Sequence, residues 1–137
     1  MIGDNTTLSD SVVGTARTGL GDALRAVVAF TPEDCTPLYL RSDLRDEERD
    51  VRPDIERFVA IERGVFAERD GYGDLATTSG AEPAIGEYEA TIRLFSEGFV
   101  GRVVVGDRGV LLTTDEMDID AFEEVSVALR KVLAGDA

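Results

Sequence analysis

Residues 86–114 read GEYEATIRLFSEGFVGRVVVGDRGVLLTT, and this stretch decides the fold. Over 86–95, Tyr88, Ala90, Ile92 and Leu94 alternate with Glu87, Glu89, Thr91 and Arg93. Period-two alternation predicts a strand with an apolar face turned inward and a polar face in water. Glu97-Gly98 supplies a tight turn, Phe99 to Val105 a second strand, the glycine-bounded run 106–109 another turn, and Val110 to Thr114 a third strand. Connections this short join antiparallel neighbours, so the segment is a meander. After it, Asp118 or Asp120 caps a closing helix with Phe122, Val125, Leu129 and Val132 on its core face, and Gly135 ends it.

Working upstream, residues 22–42 read as a hairpin. Leu24, Ala26, Val28 and Phe30 alternate with Ala23, Arg25, Val27 and Ala29, and both sets are largely apolar, as in a strand covered on two sides. Thr31-Pro32-Glu33-Asp34 has turn chemistry, and Leu38 to Ser42 returns as a strand with Pro37 at its start. A helix over 22–30 is the competing reading, because Ala-Leu-Arg-Ala favours helix. Ahead of the hairpin, Thr7 and Asp10 make a capping-box-like start for an amphipathic helix over 8–19, with Leu8, Val12 and Ala16 on one face. Residues 1–6 are then a flexible N-terminus, and Gly19 and Gly21 stop the helix.

Between hairpin and meander, residues 43–50 are almost wholly charged and form an exposed connection. Pro53 opens a helix reaching about Arg69, with Ile55, Phe58, Val59, Val65 and Phe66 on one stripe. Residues 70–85 form the longest loop. The order α-β-β-α-β-β-β-α predicts an α+β domain: one five-stranded antiparallel sheet covered by helices on both faces, the terminal pair on one side. Residues 7–137 suffice for a single domain with its own core.

The composition narrows the chemistry. The chain has 28 Asp and Glu against 14 Lys and Arg, a formal charge of −14 at pH 7, and Lys131 is its single lysine. Acids run from Asp4 to Asp136 rather than in one block, so the charge belongs to the whole surface. At about 1 M salt the Debye length is about 3 Å, which screens such a surface. Keeping Arg, which grips carboxylates with two parallel bonds, while shedding Lys points to a salt-rich cytoplasm. The negative field excludes direct nucleic-acid binding, and no run approaches the ~20 apolar residues of a membrane helix. Without a signal-peptide pattern at the start, the expected location is cytoplasmic.

There is no His and one Cys, Cys35, which excludes His-based triads, His or multi-Cys metal sites and an internal disulfide. Cys35 has no base to activate it and reads as structural. Asp115, Glu116, Asp118 and Asp120 have oxygen ligands of the kind Mg²⁺ or Ca²⁺ takes, but acids before a helix serve first as caps and dipole partners. The run 106–109 lacks the Lys-Ser/Thr ending of a phosphate loop. Arg41, Arg45, Arg49 and Arg52 are able to bind an acidic or phosphorylated partner, yet Asp43, Asp46, Glu47, Glu48 and Asp50 interleave with them as a salt-bridged loop. No catalytic, cofactor or metal set assembles.

The element order resembles the roadblock/longin-like folds, relatives of profilin in shape. That resemblance implies a homodimeric platform for small GTPases or larger complexes. The strings Gly21-Asp-Ala-Leu-Arg-Ala-Val-Val-Ala-Phe-Thr, Leu38-Tyr-Leu-Arg-Ser-Asp-Leu, Gly86-Glu-Tyr and Phe122-Glu-Glu-Val resemble an uncharacterised family of small acidic haloarchaeal proteins. It implies one domain in a salt-rich cytoplasm and carries over no catalytic residue. The expectation is a non-enzymatic regulatory or protein–protein interaction module that pairs with itself and an unidentified protein. Ile61, Glu89, Thr91 and Arg93 are its candidate contact residues, Ile61 because it lies off the helix stripe and the others on a strand able to form a sheet edge. The alternative is a small-molecule sensor with an apolar pocket lined by Phe30, Tyr39, Phe95 and Phe99.

Overall fold

Consecutive residues of a strand point to opposite faces, yet Val110, Leu111 and Leu112 are all buried, so the sheet that holds them is covered twice. The computed structural model describes residues 2–45, 50–69, 71 and 88–135, with side chains from Thr7 onward. Its elements are α1 (Ile2–Leu20), β1 (Leu24–Phe30), β2 (Cys35–Leu40), α2 (Arg52–Glu62), β3 (Thr91–Phe95), β4 (Gly98–Val105), β5 (Arg108–Thr114) and α3 (Ile119–Leu133). The five strands form one sheet in the order β2-β1-β5-β4-β3, and each neighbouring pair is antiparallel. This is the expected α+β architecture, with β5 central and β2 and β3 at the edges.

Two cores follow from the two faces. On one, Val12 and Ala16 of α1 and Phe122, Val125 and Leu129 of α3 pack on Val27, Val103, Val110 and Leu112. On the other, Val59 of α2 and Val65 pack on Val28, Phe30, Val100 and Leu111. Asp118 caps α3 by accepting from the Ala121 amide at 3.1 Å. The α3 helix also sits tight on the sheet: a Cβ at Gly101 would lie 2.5 Å from the Phe122 ring.

β1 is a strand covered on both sides, but not by simple alternation. Its register slips between Leu24 and Ala26 against β5, and between Val27 and Val28 against β2. The first slip, at Arg25 on β1, sends Leu24 to the terminal-helix core with Val27, while Val28 and Phe30 keep ordinary alternation and go to the α2 core. The second places its extra residue, Leu38, on β2. Leu24 therefore does not share a face with Val28, as strict alternation expects. The turn that follows is built by Thr31, whose Oγ1 accepts from the Glu33 and Asp34 amides at 3.2 and 3.0 Å.

Element ends differ from expectation for local reasons. α1 begins at Ile2, so Thr7 lies inside it rather than capping it. Asn and Thr carry only small helical penalties, so turns already packed downstream extend through them. β2 begins at Cys35, which puts Pro37 within an edge strand, where its missing donor is tolerated. α2 ends at Glu62; the backbone turns at Arg63-Gly64 and is helical again over 65–69, so the expected single helix to Arg69 is broken at its glycine. Residues 46–49 and most of the expected loop 70–85 lie outside the described residues.

An ion network staples the sheet at the end of β2. Arg41 Nε and Nη2 donate to Asp43 at 2.6 and 3.1 Å, and Nη1 donates to Asp115 Oδ2 and to the Asp22 carbonyl, each at 2.7 Å. Arg25 Nη1 donates to the other Asp115 oxygen at 2.6 Å. The hydrogen bond from Arg41 holds the carboxyls of both Asp115 and Asp43 below their ordinary 3.8, with Arg25 adding to the effect at Asp115. A depressed folded-state value means that the stabilisation is complete above the ordinary carboxylate range and is lost as pH falls through the folded values. Urea unfolding midpoints will therefore decline as pH drops below about 4, and Arg41→Ala will flatten that limb. An unchanged acid slope in the variant would show that the staple contributes nothing.

Candidate interaction surface

An arginine in a valine-rich strand has to find an acid, and the search for it organises the outer half of the molecule. Arg102 on β4 and Glu62 at the end of α2 are each about 2% exposed in their side chains, and Arg102 Nη1 donates to Glu62 Oε1 at 2.7 Å. Arg93 on β3 donates from Nε to the second Glu62 oxygen at 2.8 Å. Arg102 Nη2 donates to Thr91 Oγ1 at 3.0 Å, and that hydroxyl shares a hydrogen bond with the Tyr88 hydroxyl at 2.6 Å. Arg102 Nε has no partner among the described residues. One carboxylate thus ties α2, β4 and β3 together in a low-dielectric space, where each missing partner is costly.

This network reverses the two faces of β3. The register pairs Thr91 with Arg102 and Arg93 with Val100, so Thr91, Arg93 and Phe95 point to the α2 side. Ile92 and Leu94 point to the terminal-helix side with Gly101 and Phe99. Their expected burial does not occur: Leu94 is 76% exposed and Ile92 is exposed as well. α3 lies over β4, and β3, one strand further out, overhangs it. The polar set Thr91 and Arg93, expected in water, instead supplies partners for the buried pair.

The result is an open sheet edge with apolar groups on both sides of it. Leu94 stands on one side; Phe95, 49% exposed and 6.3 Å from the Phe58 ring, stands on the other. Ile61, on the last turn of α2, is 73% exposed. Of the four candidate contact residues, Ile61 presents a free apolar side chain, while Thr91 and Arg93 are committed to Glu62 and Arg102. Glu89 precedes β3 and meets Arg130 of α3 at 3.4 Å, on the other side of the strand. The residues missed by alternation are Leu94, Phe95, Glu62 and Arg102. Two signals for them were present: Leu94-Phe95 is an adjacent apolar pair, which no strand buries on one face, and Arg102 interrupts an apolar run.

The other candidates resolve by their partners. Asp115 is held between Arg25 and Arg41, Asp118 caps α3, and no group of three potential metal ligands gathers among the described residues. Cys35 is half-buried against the α2 core. Gly106, at φ +59°, turns the β4–β5 hairpin. Phe30, Tyr39, Phe95 and Phe99 do not line one cavity. Tyr39 borders a recess of about 280 Å³ between α2 and β1–β2, while Phe95 and Phe99 border another beside the β3–β4 turn. Phe30 is buried, because alternation from Val28 turns it into the α2 core.

Replacing Glu62 by Gln tests the network directly. It removes the nearer, buried counter-charge of Arg102 and leaves only the half-exposed Glu68, 3.5 Å from Nη2, so Glu62→Gln is expected to destabilise the domain by about 2–3 kcal/mol. Chemical denaturation reads this as a lowered midpoint at unchanged slope. A loss below about 1 kcal/mol would mean that water reaches the pair.

No curated protein matches this chain. Among the solved structures that match the chain, two illustrate the shared fold. The gliding protein mglB of Thermus thermophilus is 12% identical, with 93% of this chain and 92% of that chain covered at a TM-score of 0.52. Myxococcus xanthus MglB is 11% identical, with 95% and 97% covered at 0.56. At these identities the likeness is one of fold, and it agrees with the roadblock/longin-like architecture expected from the element order. Over residues 10–134 the sequence matches the family described as a domain of unknown function (DUF7522), and the chain belongs to that family.

Proposed function

We propose that this domain is a non-enzymatic regulatory module that pairs with a second copy of itself through the β3 edge and the exposed end of α2, and presents the joined surface to a further protein. The observation that carries the reading is the β3 edge itself, unpaired among the described residues and flanked by Ile61, Leu94 and Phe95. Antiparallel pairing of β3 with its symmetry mate joins two sheets into one and satisfies both rows of edge groups. The opposite edge is less suited, because Pro37 removes a donor from β2. Covering each of the three apolar side chains contributes about 1.5–3 kcal/mol per residue at full burial, on both copies. The fold shared with MglB adds support for an interaction role, and the absence of His from the chain supports a role without acid–base catalysis.

The setting that suits this surface is a salt-rich cytoplasm of the haloarchaeal kind. The support is compositional: a charge of −14 spread along the chain, and Arg in place of Lys. Self-repulsion of such a surface is screened by molar salt.

Two measurements test these statements. Sedimentation in about 2 M KCl is expected to give a dimer, and the double substitution Ile61→Asp with Leu94→Asp a folded monomer with pairing weakened at least about 100-fold. A wild-type chain that stays monomeric at high concentration refutes the pairing. The melting temperature is expected to rise by more than about 10 °C between about 0.1 and 2 M KCl; a flat response removes the halophilic setting.

A further inference from the structure

At the far edge of the sheet from β3, α1, the end of β2 and the turn Ser42–Leu44 enclose a polar cleft of about 740 Å³. Its lining includes Arg17, Thr18, Asp22, Tyr39, Arg41, Ser42 and Arg45. Three guanidinium groups in one cleft are unexpected on a chain with a net charge of −14. Half of the described arginines pair with a carboxylate, and Arg17 and Arg45 belong to the other half. Arg25, Arg57, Arg93, Arg102 and Arg130 all have carboxylate partners, whereas Arg17 and Arg45 have none among the described residues.

Both free groups are positioned rather than loose. Arg17 lies over the Tyr39 ring with its guanidinium carbon 5.3 Å from the ring centre, which leaves its N–H edges open. Arg45 donates from Nε to the Leu40 carbonyl at 3.0 Å, which leaves both terminal amino groups open. Arg41, in the same lining, is held by Asp43, Asp115 and the Asp22 carbonyl, and forms a fixed cationic wall. The Thr18 and Ser42 side chains add hydroxyls able to donate to an oxyanion. Asp22 is the one carboxylate in the lining among the described residues, and Asp43 and Asp115 behind it are occupied by Arg41.

We propose that this cleft binds a small phosphorylated ligand that also carries hydroxyl groups. The planar donor edges of Arg17 and Arg45 match phosphate oxygens, which accept two parallel N–H bonds from each guanidinium. Asp22 repels the phosphate of either ligand alike but accepts hydrogen bonds from the additional hydroxyls of a phosphate ester, so the site favours the ester over inorganic phosphate. A cleft of this size holds a sugar phosphate with room for bound water. It lies apart from the β3 edge, so pairing and ligand binding stand or fall separately.

Calorimetric titration of the whole chain in low-chloride buffer with glucose 6-phosphate, inorganic phosphate and glucose tests the site. Glucose 6-phosphate is expected to give saturable one-to-one heat, inorganic phosphate to bind more weakly, and glucose not at all. The double substitution Arg17→Ala with Arg45→Ala is expected to weaken glucose 6-phosphate at least about tenfold, with unchanged circular dichroism and sedimentation. Both side chains are exposed, so the variant keeps its fold. Absence of saturable heat with both phosphate probes, equal binding by the double variant, or equal binding of glucose would each overturn the proposal.

Discussion

The requirement to cover the central strand on both faces governs this molecule. Val110 and Leu112 point one way and Leu111 the other, and none of the three reaches solvent. Strands of this kind are found only inside layered folds, because an uncovered apolar face would cost about 25 cal/mol for each Å² left in water. The terminal helices meet that need on one side although they are far apart in sequence; α2 and residues 65–69 meet it on the other. β1 adapts to the same demand with a bulge at Arg25, which turns Leu24 into the core that Val27 also enters.

Apolar cover runs out toward β3, and the chemistry changes there. In place of a third apolar layer, the sheet carries Arg102 and Glu62, with Thr91 and Arg93 as further partners. A buried pair of this kind adds little net stability over a hydrophobic one, but its geometry is exacting. It turns the polar side of β3 toward α2 and so leaves Leu94 in solvent. The interior ion pair and the exterior apolar edge are two results of one arrangement.

Charge is handled differently at the two edges. At β3 the arginines are consumed by buried acids, and what remains exposed is apolar. At β2 the arginine in the middle is consumed by Asp43 and Asp115, and those beside it stay open in a polar cleft. The first edge is the one proposed to take another copy of the chain, and the second the one proposed to take a small phosphorylated ligand.

Much of this was legible in the sequence. Short glycine turns between alternating strands made the meander readable, the four-residue spacing of Leu8, Val12 and Ala16 announced α1, and the spacing from Phe122 to Val132 announced α3. Those are local properties, set by neighbours a few residues away. The sequence by itself therefore determined the elements, their order, the two-sided sheet and the acidic, His-free surface. Which face of β3 lies inward, where Arg102 finds its carboxylate, and that Arg17 and Arg45 line one cleft were decided only by tertiary structure. Each depends on residues tens of positions apart, and alternation shows that a strand has two faces without showing which one a distant helix covers.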